Sequence, residues 1–325
     1  MSYFVGIDLG GTNIKAGIVN EKGEIIHKNR IKTRADRDQL EIIHDMGMLA
    51  RQVIEEAGLT QADVLAIGIG SPGTPNNEAG TLIYANNLPF HQAPMRSEIR
   101  KVIDLPVFID NDANVAALAE SVAGASKGTN HSVAITLGTG VGGGVVINRR
   151  IYSGFNHAGC EVGHILVKAG GEPCTCGRKG CFESYASATA IIRETERAAA
   201  AHPESILNAL ITENGGKADG RTAFEGMRRG DKAAAAVVQE YMEMLSEGLA
   251  NVINGYMPEV IVIGGGVCNE GDALLEPVRK LTLAKAYLGE GVPQPKIRLA
   301  EMGNDAGIVG AAMMASTCLE DHLRG

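Results

Sequence analysis

Four potential metal ligands and two carboxylates alternate within one short stretch of this chain, between Glu161 and Glu183. The stretch reads Glu161-Val-Gly-His164 and then Cys174-Thr-Cys176-Gly-Arg-Lys-Gly-Cys181-Phe-Glu183. Thiolates and imidazole are ligands that a tetrahedral zinc ion prefers. Because four protein ligands leave no position for a reacting water, the pattern predicts a structural zinc. The same loop should then hold Glu161 and Glu183 firmly, as carboxylates that bind a polar ligand.

Two glycine-rich turns between strands predict sites for phosphate groups. The first is Asp8-Leu-Gly10-Gly11-Thr12, where backbone N–H groups can point at an anion and Thr12 adds a hydroxyl. Asp8 is suited to a hydrated Mg²⁺ beside the phosphates, and an ordinary glycine hairpin with an exposed Asp is the alternative. The second turn, Leu137-Gly138-Thr139-Gly140, repeats the design. Two such turns that face each other would enclose a polyphosphate, which favours the phosphate interpretation.

A third glycine cluster, Gly264-Gly265-Gly266, follows a buried strand and precedes a helix. Backbone without side chains would let a flat base lie against the chain there, although any strand-to-helix turn can use glycine. The Walker lysine loop does not occur in the sequence. Phosphates would therefore be held by the two glycine-rich turns.

One carboxylate comes directly after a buried strand, in the motif Asn111-Asp112-Ala-Asn114. Asp112 is either the N-cap of the helix that follows or a general base. In phosphoryl transfer to an alcohol, one carboxylate accepts the hydroxyl proton, while positioning and electrostatics do most of the work. This motif alone supports the two roles equally.

Alternating strands and helices must position these residues. Residues 3–8 and 14–19 are predicted strands joined by the first glycine turn, and residues 132–136 and 141–147 repeat that arrangement. Helices are predicted where apolar residues recur at helical spacing, as between Asp38 and Ala57. The stretch from 152 to 180 lacks a regular period, as expected of a loop-rich zinc module. The order of elements predicts an α/β protein with two domains.

Composition excludes several classes of function. The 325 residues are 45% hydrophobic and 21% charged, which is ordinary for a soluble globular protein. A net charge of -8 argues against a nucleic-acid partner. No apolar run approaches the ~20 residues that span a bilayer, and no signal peptide is visible, so we expect no membrane partner. Six cysteines, of which three are clustered, are typical of a reducing cytoplasm.

Together these motifs resemble the ROK family of sugar kinases, repressors and open reading frames, within the actin-like ATPase superfamily. The resemblance covers essentially the whole chain, and its most specific part is the cysteine box from Cys174 to Glu183. Within the family, the chain is similar to the bacterial glucokinases. The resemblance implies an ATP-dependent kinase that phosphorylates the 6-hydroxyl of glucose.

The resemblance also implies an architecture. It predicts two actin-like (ribonuclease H-like) ATPase domains around a central cleft, with the zinc loop in the larger domain. The small domain would comprise residues 1–119 plus 304–325, and the large domain residues 120–303. A homodimer is implied as well.

Roles for individual residues follow from the same resemblance. Asp112 would be the base that takes the proton from the 6-hydroxyl. Other sugar contacts would be Gly73, Asn87, Asn111, Glu161, His164 and Glu183. ATP and Mg²⁺ would bind at Asp8, Gly10, Gly11, Thr12, Gly138, Thr139, Gly140, Gly265 and Gly266. The ligands of a structural Zn²⁺ would be His164, Cys174, Cys176 and Cys181, so that His164 serves the metal with one ring nitrogen and the sugar with the other.

One residue departs from the family pattern. The family usually has Gly immediately before the first glutamate, where this chain has Cys160. If the backbone there needs a positive φ, a cysteine would be strained. Any such strain bears on the geometry of Glu161 and hence on sugar preference.

Two alternatives to a glucose kinase remain. An N-acetylmannosamine or N-acetylglucosamine kinase would need room for an acetamido group near Glu161, and the sequence does not size that wall. A sugar-responsive ROK repressor is a remote alternative. It would need a DNA-binding segment ahead of Asp8, for which we see no room, and the acidic charge also disfavours DNA.

Overall fold

A computed structural model describes residues 2–85 and 88–324 of the chain. The strands are β1 (Tyr3–Leu9), β2 (Asn13–Asn20), β3 (Ile25–Lys32), β4 (Val64–Ser71), β5 (Thr74–Asn76), β6 (Thr81–Tyr84), β7 (His91–Ala93), β8 (Val107–Asn111), β9 (His131–Leu137), β10 (Val141–Ile147), β11 (Arg150–Tyr152), β12 (Val260–Gly264) and β13 (Lys296–Leu299). The helices are α1 (Gln39–Glu56), α2 (Met95–Val102), α3 (Asp112–Val122), α4 (Glu183–Ala186), α5 (Ala188–Ala201), α6 (Leu207–Glu213), α7 (Thr222–Arg228), α8 (Lys232–Tyr256), α9 (Asp272–Lys285) and α10 (Ala306–Arg324). Short 3₁₀ turns lie at Gln61–Asp63, Val162–His164, Gly266–Glu270 and Gly303–Asp305.

Two five-stranded sheets share one topology. The first has the order β3-β2-β1-β4-β8, and the second has the order β11-β10-β9-β12-β13. In the first, β1 is antiparallel to β2 and parallel to β4, and β4 is parallel to β8. In the second, β10 and β11 are antiparallel, and β12 and β13 are parallel. The predicted mixed α/β fold is therefore confirmed.

Contacts between Cα atoms divide the chain into two compact units. The first contains Met1–Ala134, Gly144–Cys160 and Ala300–Gly325, and the second contains Ile135–Gly143 and Glu161–Leu299. The domain boundaries expected at 119 and 304 stay a prediction. One buried carboxylate joins two parts of the first unit that lie beyond residue 119. The carboxylate of Glu120, which is 3% exposed, accepts the N–H groups of Ala125 at 2.8 Å, Glu301 at 3.0 Å and Met302 at 2.9 Å.

In the first unit, α10 lies directly on the first sheet. A side chain on Gly6 would overlap the backbone of Ile308, and one on Gly68 would overlap that of Ala311. Only glycine permits an approach this close. The buried face of α10 is correspondingly rich in small residues, such as Ala312. Helix α3, which begins at Asp112, packs against the same helix.

Two local features differ from the sequence-based expectation. The sequence predicts one continuous helix from Ser184 to Ala201. This helix is interrupted in the structure, because Ser187 caps α5 by accepting the N–H of Ala190 at 3.1 Å. The antiparallel sheet β5-β6-β7 was not predicted, since its strands have only three or four residues each. Among the described residues, no helix is both long enough and apolar enough to cross a bilayer.

Candidate active site and metal centre

The four predicted metal ligands lie together in the second unit. One ligand atom from each of His164, Cys174, Cys176 and Cys181 lies within 4.8 Å of the others. The Nδ1 atom of His164 is 3.5 Å from Cys174 Sγ, and the Sγ atoms of Cys176 and Cys181 are 3.6 Å apart. Around a tetrahedral zinc with Zn–S bonds of about 2.3 Å, neighbouring sulfurs lie about 3.8 Å apart. The donor set and its spacing therefore fit zinc, with Nδ1 as the ligand atom of His164.

The chain around these ligands is irregular, as expected. Its regular pairing consists of isolated bridges between Leu166 and Cys181 and between Pro173 and Lys179. Gly180 has a φ of +89°, and a side chain there would overlap the carbonyl of Lys168. Burial raises the pKa of the Cys181 thiol to about 12. Because a metal ligand must be a thiolate, metal binding at this cysteine would release a proton.

Glu183 joins the cysteine box to the second glycine turn. One carboxylate oxygen accepts the N–H of Val141 at 3.1 Å, and the other accepts the hydroxyl of Thr175 at 3.3 Å. A side chain on Gly140 would overlap this carboxylate and would displace it from its position. The sequence predicted that the loop would hold Glu183, but it did not indicate that Glu183 also binds the glycine turn.

Glu161 sits at the start of the 3₁₀ turn Val162–His164 and is exposed. Its carbonyl accepts the N–H of His164 at 3.0 Å, while its side chain makes no capping bond. The preceding residue, Cys160, has a φ of +65°, which lies in the left-handed region. The positive φ considered from the sequence is therefore present, and it strains a cysteine where glycine would be relaxed.

The structure tests one of the two roles that the sequence allows for Asp112, that of N-cap of α3. The N-cap of α3 is Asn111, whose side-chain oxygen accepts the N–H of Ala113 at 2.9 Å. Asp112 is the first helical residue, so the interpretation of Asp112 as N-cap is wrong. Asn and Asp both cap helices well, so the sequence did not show which of the two adjacent residues precedes the first turn of α3. The carboxylate of Asp112 also accepts the Ala113 N–H at 2.9 Å.

The surroundings of Asp112 favour a basic carboxylate. The residue is exposed by its accessible area, yet enough protein surrounds the carboxyl group to desolvate it. This desolvation raises the pKa of Asp112, and the nearby carboxylate of Asp8 raises it further, against a lowering by the Ala113 N–H. A carboxylate with a raised pKa accepts a proton more readily, which is what a general base requires.

Asn111 contacts a second predicted sugar residue. Its side-chain N–H donates to the carbonyl of Gly73 at 3.1 Å. Gly73 has a φ of +96°, and a side chain there would overlap the backbone of Tyr84, so glycine is required. Asn87, also predicted to line the sugar pocket, lies outside the described residues.

The first glycine turn is open on its outer side. Gly11 and Thr12 are exposed, and a side chain on Gly11 would meet no protein atom within 4 Å. The protein itself therefore gives no steric reason for glycine at this position, whereas a closely bound ligand would. Asp8 is paired with Lys15 Nζ at 2.9 Å, so a cation at Asp8 would share the carboxylate with an ammonium group.

The ion pair between Lys15 and Asp8 was not predicted from the sequence. Lys15 lies directly opposite Asp8 in the antiparallel register of β1 and β2. Opposite charges at such a cross-strand position attract each other. Counting residues outward from the glycine turn would have found the pair.

The second and third glycine clusters lie side by side in the second unit. The N–H of Gly138 donates to the carbonyl of Gly140 at 2.9 Å, and the hydroxyl of Thr189 donates to that of Thr139 at 2.7 Å. Gly265 has a φ of +107°, and a side chain on it would overlap the carbonyl of Leu137. Gly266 is exposed, and a side chain on it would meet no protein atom within 4 Å. The two clusters together leave backbone accessible without side chains, as predicted for nucleotide contacts.

The chain is similar over nearly its whole length to proteins of one family. The ROK family model matches residues 4–318. A glucokinase from Halalkalibacterium halodurans is 37% identical over 313 residues, which are 96% of this chain and 94% of that protein. A solved ROK family glucokinase from Streptomyces griseus, in complex with glucose and AMPPNP, has a TM-score of 0.76 and 34% identity and covers 97% of this chain and 99% of its own. An N-acetyl-D-glucosamine kinase from Yersinia pseudotuberculosis is 31% identical over 322 residues, 96% of this chain and 98% of that protein.

Proposed function

The chain belongs to the ROK family and is one of its sugar kinases, and we propose that it transfers the terminal phosphoryl group of ATP to the 6-hydroxyl of glucose. The observation that carries this proposal is the exposed Asp112 at the end of β8, with a raised pKa and with the capping role taken by Asn111. The similarity to a glucokinase whose structure holds glucose and AMPPNP supports both substrates.

In this mechanism Asp112 accepts the proton of the 6-hydroxyl as the oxygen attacks the phosphorus. Only one proton moves, and the rest of catalysis is positioning and electrostatic stabilisation. Asn111, Gly73 and Asn87 are assigned to the sugar's other hydroxyls. The hydrogen bond from Asn111 to the Gly73 carbonyl supports the first two assignments, because it holds the two residues together.

Glu161, His164 and Glu183 are assigned to sugar hydroxyls as well. A zinc ion, when bound to His164 and the three cysteines, would supply structural rigidity and no reaction step. With Nδ1 of His164 as the ligand atom, Nε2 carries the hydrogen and is a defined donor for a hydroxyl. The bond from Val141 N–H to Glu183 orients that carboxylate further.

For the nucleotide, the proposal assigns phosphates and Mg²⁺ to the two glycine turns and adenosine to the backbone at Gly265 and Gly266. The open positions at Gly11 and Gly266 support this assignment, since no protein atom fills the space that a side chain would take. The Mg²⁺ would be held by Asp8 and the phosphates. A carboxylate and phosphate oxygens are the usual ligands of Mg²⁺ in kinases.

A sugar panel tests the proposal. ADP release is measured with purified protein, ATP and Mg²⁺, and with glucose, mannose, N-acetylglucosamine or N-acetylmannosamine as the acceptor. We expect the highest kcat/KM with glucose. ADP release with glucose that does not exceed the sugar-free background would overturn the proposal.

An N-acetylhexosamine kinase is the second candidate. The relative from Yersinia pseudotuberculosis supports it, because its 31% identity is little below that of the glucokinases. The acetamido group must fit beside Glu161, whose backbone follows the strained Cys160. A kcat/KM for N-acetylglucosamine above that for glucose would decide for this candidate.

Two properties accompany the proposal. A homodimer is proposed from the family resemblance, and light scattering on the purified protein tests it. A cytoplasmic location is proposed because a cluster of three reduced thiols is stable in a reducing compartment.

A further inference from the structure

The strand that ends in the proposed base lies at the edge of its sheet. β8 pairs with β4 on one side, through groups such as the Pro106 carbonyl, and is the last strand in the order. Its odd-numbered residues, Val107, Ile109 and Asn111, therefore direct their backbone groups to the other side. An unpaired edge is free to slip or bend unless other groups satisfy it.

Side-chain hydrogen bonds cover this edge at three successive odd positions, at backbone groups of Val107 and Ile109 and at the side chain of Asn111. Arg96 Nε donates to the Val107 carbonyl at 2.9 Å. The side-chain oxygen of Asn77 accepts the Ile109 N–H at 3.1 Å. The Asn111 side chain donates to the Gly73 carbonyl at 3.1 Å. The stretch from Gly73 to Asn77, which includes β5, is thereby attached along the whole of β8.

Arg96 forms hydrogen bonds both to β8 and to the segment that lies against it. Besides the Val107 carbonyl, its guanidinium donates to the carbonyl of Glu78 at 2.9 Å and to that of Asn77. The backbone N–H of Arg96 donates to the Gly80 carbonyl at 2.9 Å, and a side chain on Gly80 would overlap the guanidinium group of Arg96. Among the described residues, Arg96 forms no ion pair, so its charge is used on backbone carbonyls alone.

We infer that Arg96 is a positioning residue for the kinase reaction, because it holds the Gly73–Asn77 segment against β8 and so sets Gly73 relative to Asn111 and Asp112. The inference rests on the proposed function for its catalytic consequence. The geometry requires a planar donor with several N–H groups directed at three carbonyls. A lysine has one ammonium group and cannot reach all three.

The test compares Arg96→Lys and Arg96→Met with Arg100→Lys. Arg100 lies one turn further along α2 and pairs with the exposed Asp104 at 2.6 Å, so it is a matched control. We expect kcat/KM for glucose to fall about 10- to 100-fold in Arg96→Met, since small misplacements of reacting groups have effects of this size. Arg96→Lys should recover part of the loss, and Arg100→Lys should stay within about twofold of wild type.

Amide hydrogen exchange at Ile109 gives a readout that does not depend on the substrate. Loss of Arg96 should loosen Asn77 and speed exchange at Ile109 in the native protein, with no change in Arg100→Lys. Asn77→Ala, which removes the acceptor itself, provides a second variant if Arg96→Met does not fold.

The outcomes separate the two proposals. Unchanged Ile109 exchange and unchanged kcat/KM in both Arg96 variants would overturn the inference, whether or not their melting temperatures fall. Absence of glucose phosphorylation by the wild-type protein would overturn the proposed function instead. In that case faster exchange at Ile109 would still establish the attachment of β8 by Arg96.

Discussion

The end of β8 and the stretch from Glu161 to Glu183 both present carboxylates for the proposed reaction, but different interactions hold them. Asp112 is the first residue of a helix that follows a sheet strand, and backbone hydrogen bonds and the Asn111 cap define its position. Glu183 is also the first residue of a helix, but that helix, α4, has only four residues and follows an irregular stretch that carries one imidazole and three thiols. We propose that the second arrangement depends on a bound metal, whereas the first is held by the helix and its cap.

Because different interactions hold the two regions, we expect metal loss and mutation to affect them separately. Loss of a metal should loosen the residues around the cysteines, because no ion would then join the four ligand side chains to one another. The same treatment should leave the β8–α3 junction intact. Conversely, a change at Asp112 should remove the chemistry and leave the sugar contacts of the cysteine box in place.

The largest effect is expected at the base. Asp112→Asn should lower kcat about 10²- to 10⁴-fold, the usual contribution of a general base, with little change in glucose affinity. An ADP-release assay and titration calorimetry with glucose measure the two quantities. Asp104→Asn, at an exposed aspartate that pairs with Arg100, is the control. Near wild-type turnover in Asp112→Asn would disprove the role of Asp112.

Metal loss should have the next largest effect. Cys176→Ser, or chelation of the wild-type protein, should weaken glucose binding about 10- to 100-fold, while ATP binding changes little. Re-addition of zinc should restore glucose binding in the chelated protein. Equal weakening of ATP and glucose binding on chelation would contradict the proposal that the metal supports the sugar contacts alone.

The pH dependence should reflect the raised pKa of Asp112. Because a base must be deprotonated, kcat/KM should fall on the acidic side at a pH above the ordinary aspartate range of about 3.9. Burial disfavours the charged form, so this carboxyl group's contribution to stability is present at low pH and is lost as the pH rises through its folded pKa. Asp112→Asn should therefore be at least as stable as wild type at neutral pH. Thermal melts of both proteins at pH 7 measure this, and a clear destabilisation would contradict it.

The smallest effect is expected at Cys160. Replacement by glycine removes left-handed strain, offset by the larger entropy that glycine loses on folding, so we expect a gain of about 0.5–1 kcal/mol. Urea unfolding measures the change. The matched change Cys318→Gly lies inside α10, where glycine should destabilise instead. Loss of stability in Cys160→Gly would show that contacts of the thiol outweigh the strain.

Much of the fold could be predicted from the sequence because its signals are local. The hairpin around Gly10 and Gly11, the apolar period of α1 and the irregular cysteine box each depend on residues close together in the chain. The short strands β5 to β7 could not be predicted, since three or four residues carry too little periodicity. The cap of α3 could not be settled either, because Asn111 and Asp112 are adjacent and both residue types cap helices well.

Residue types and their spacing were enough to propose the ligand set from His164 to Cys181, the carboxylates and the glycine turns, and to recognise the resemblance to the ROK family. Three contacts could be found only in the folded protein. Asn111 and not Asp112 caps α3, Glu183 accepts the N–H of Val141, and Arg96 bonds the edge of β8. Each of these contacts joins groups by atomic distances rather than by position along the chain, and such distances exist only once the chain is folded.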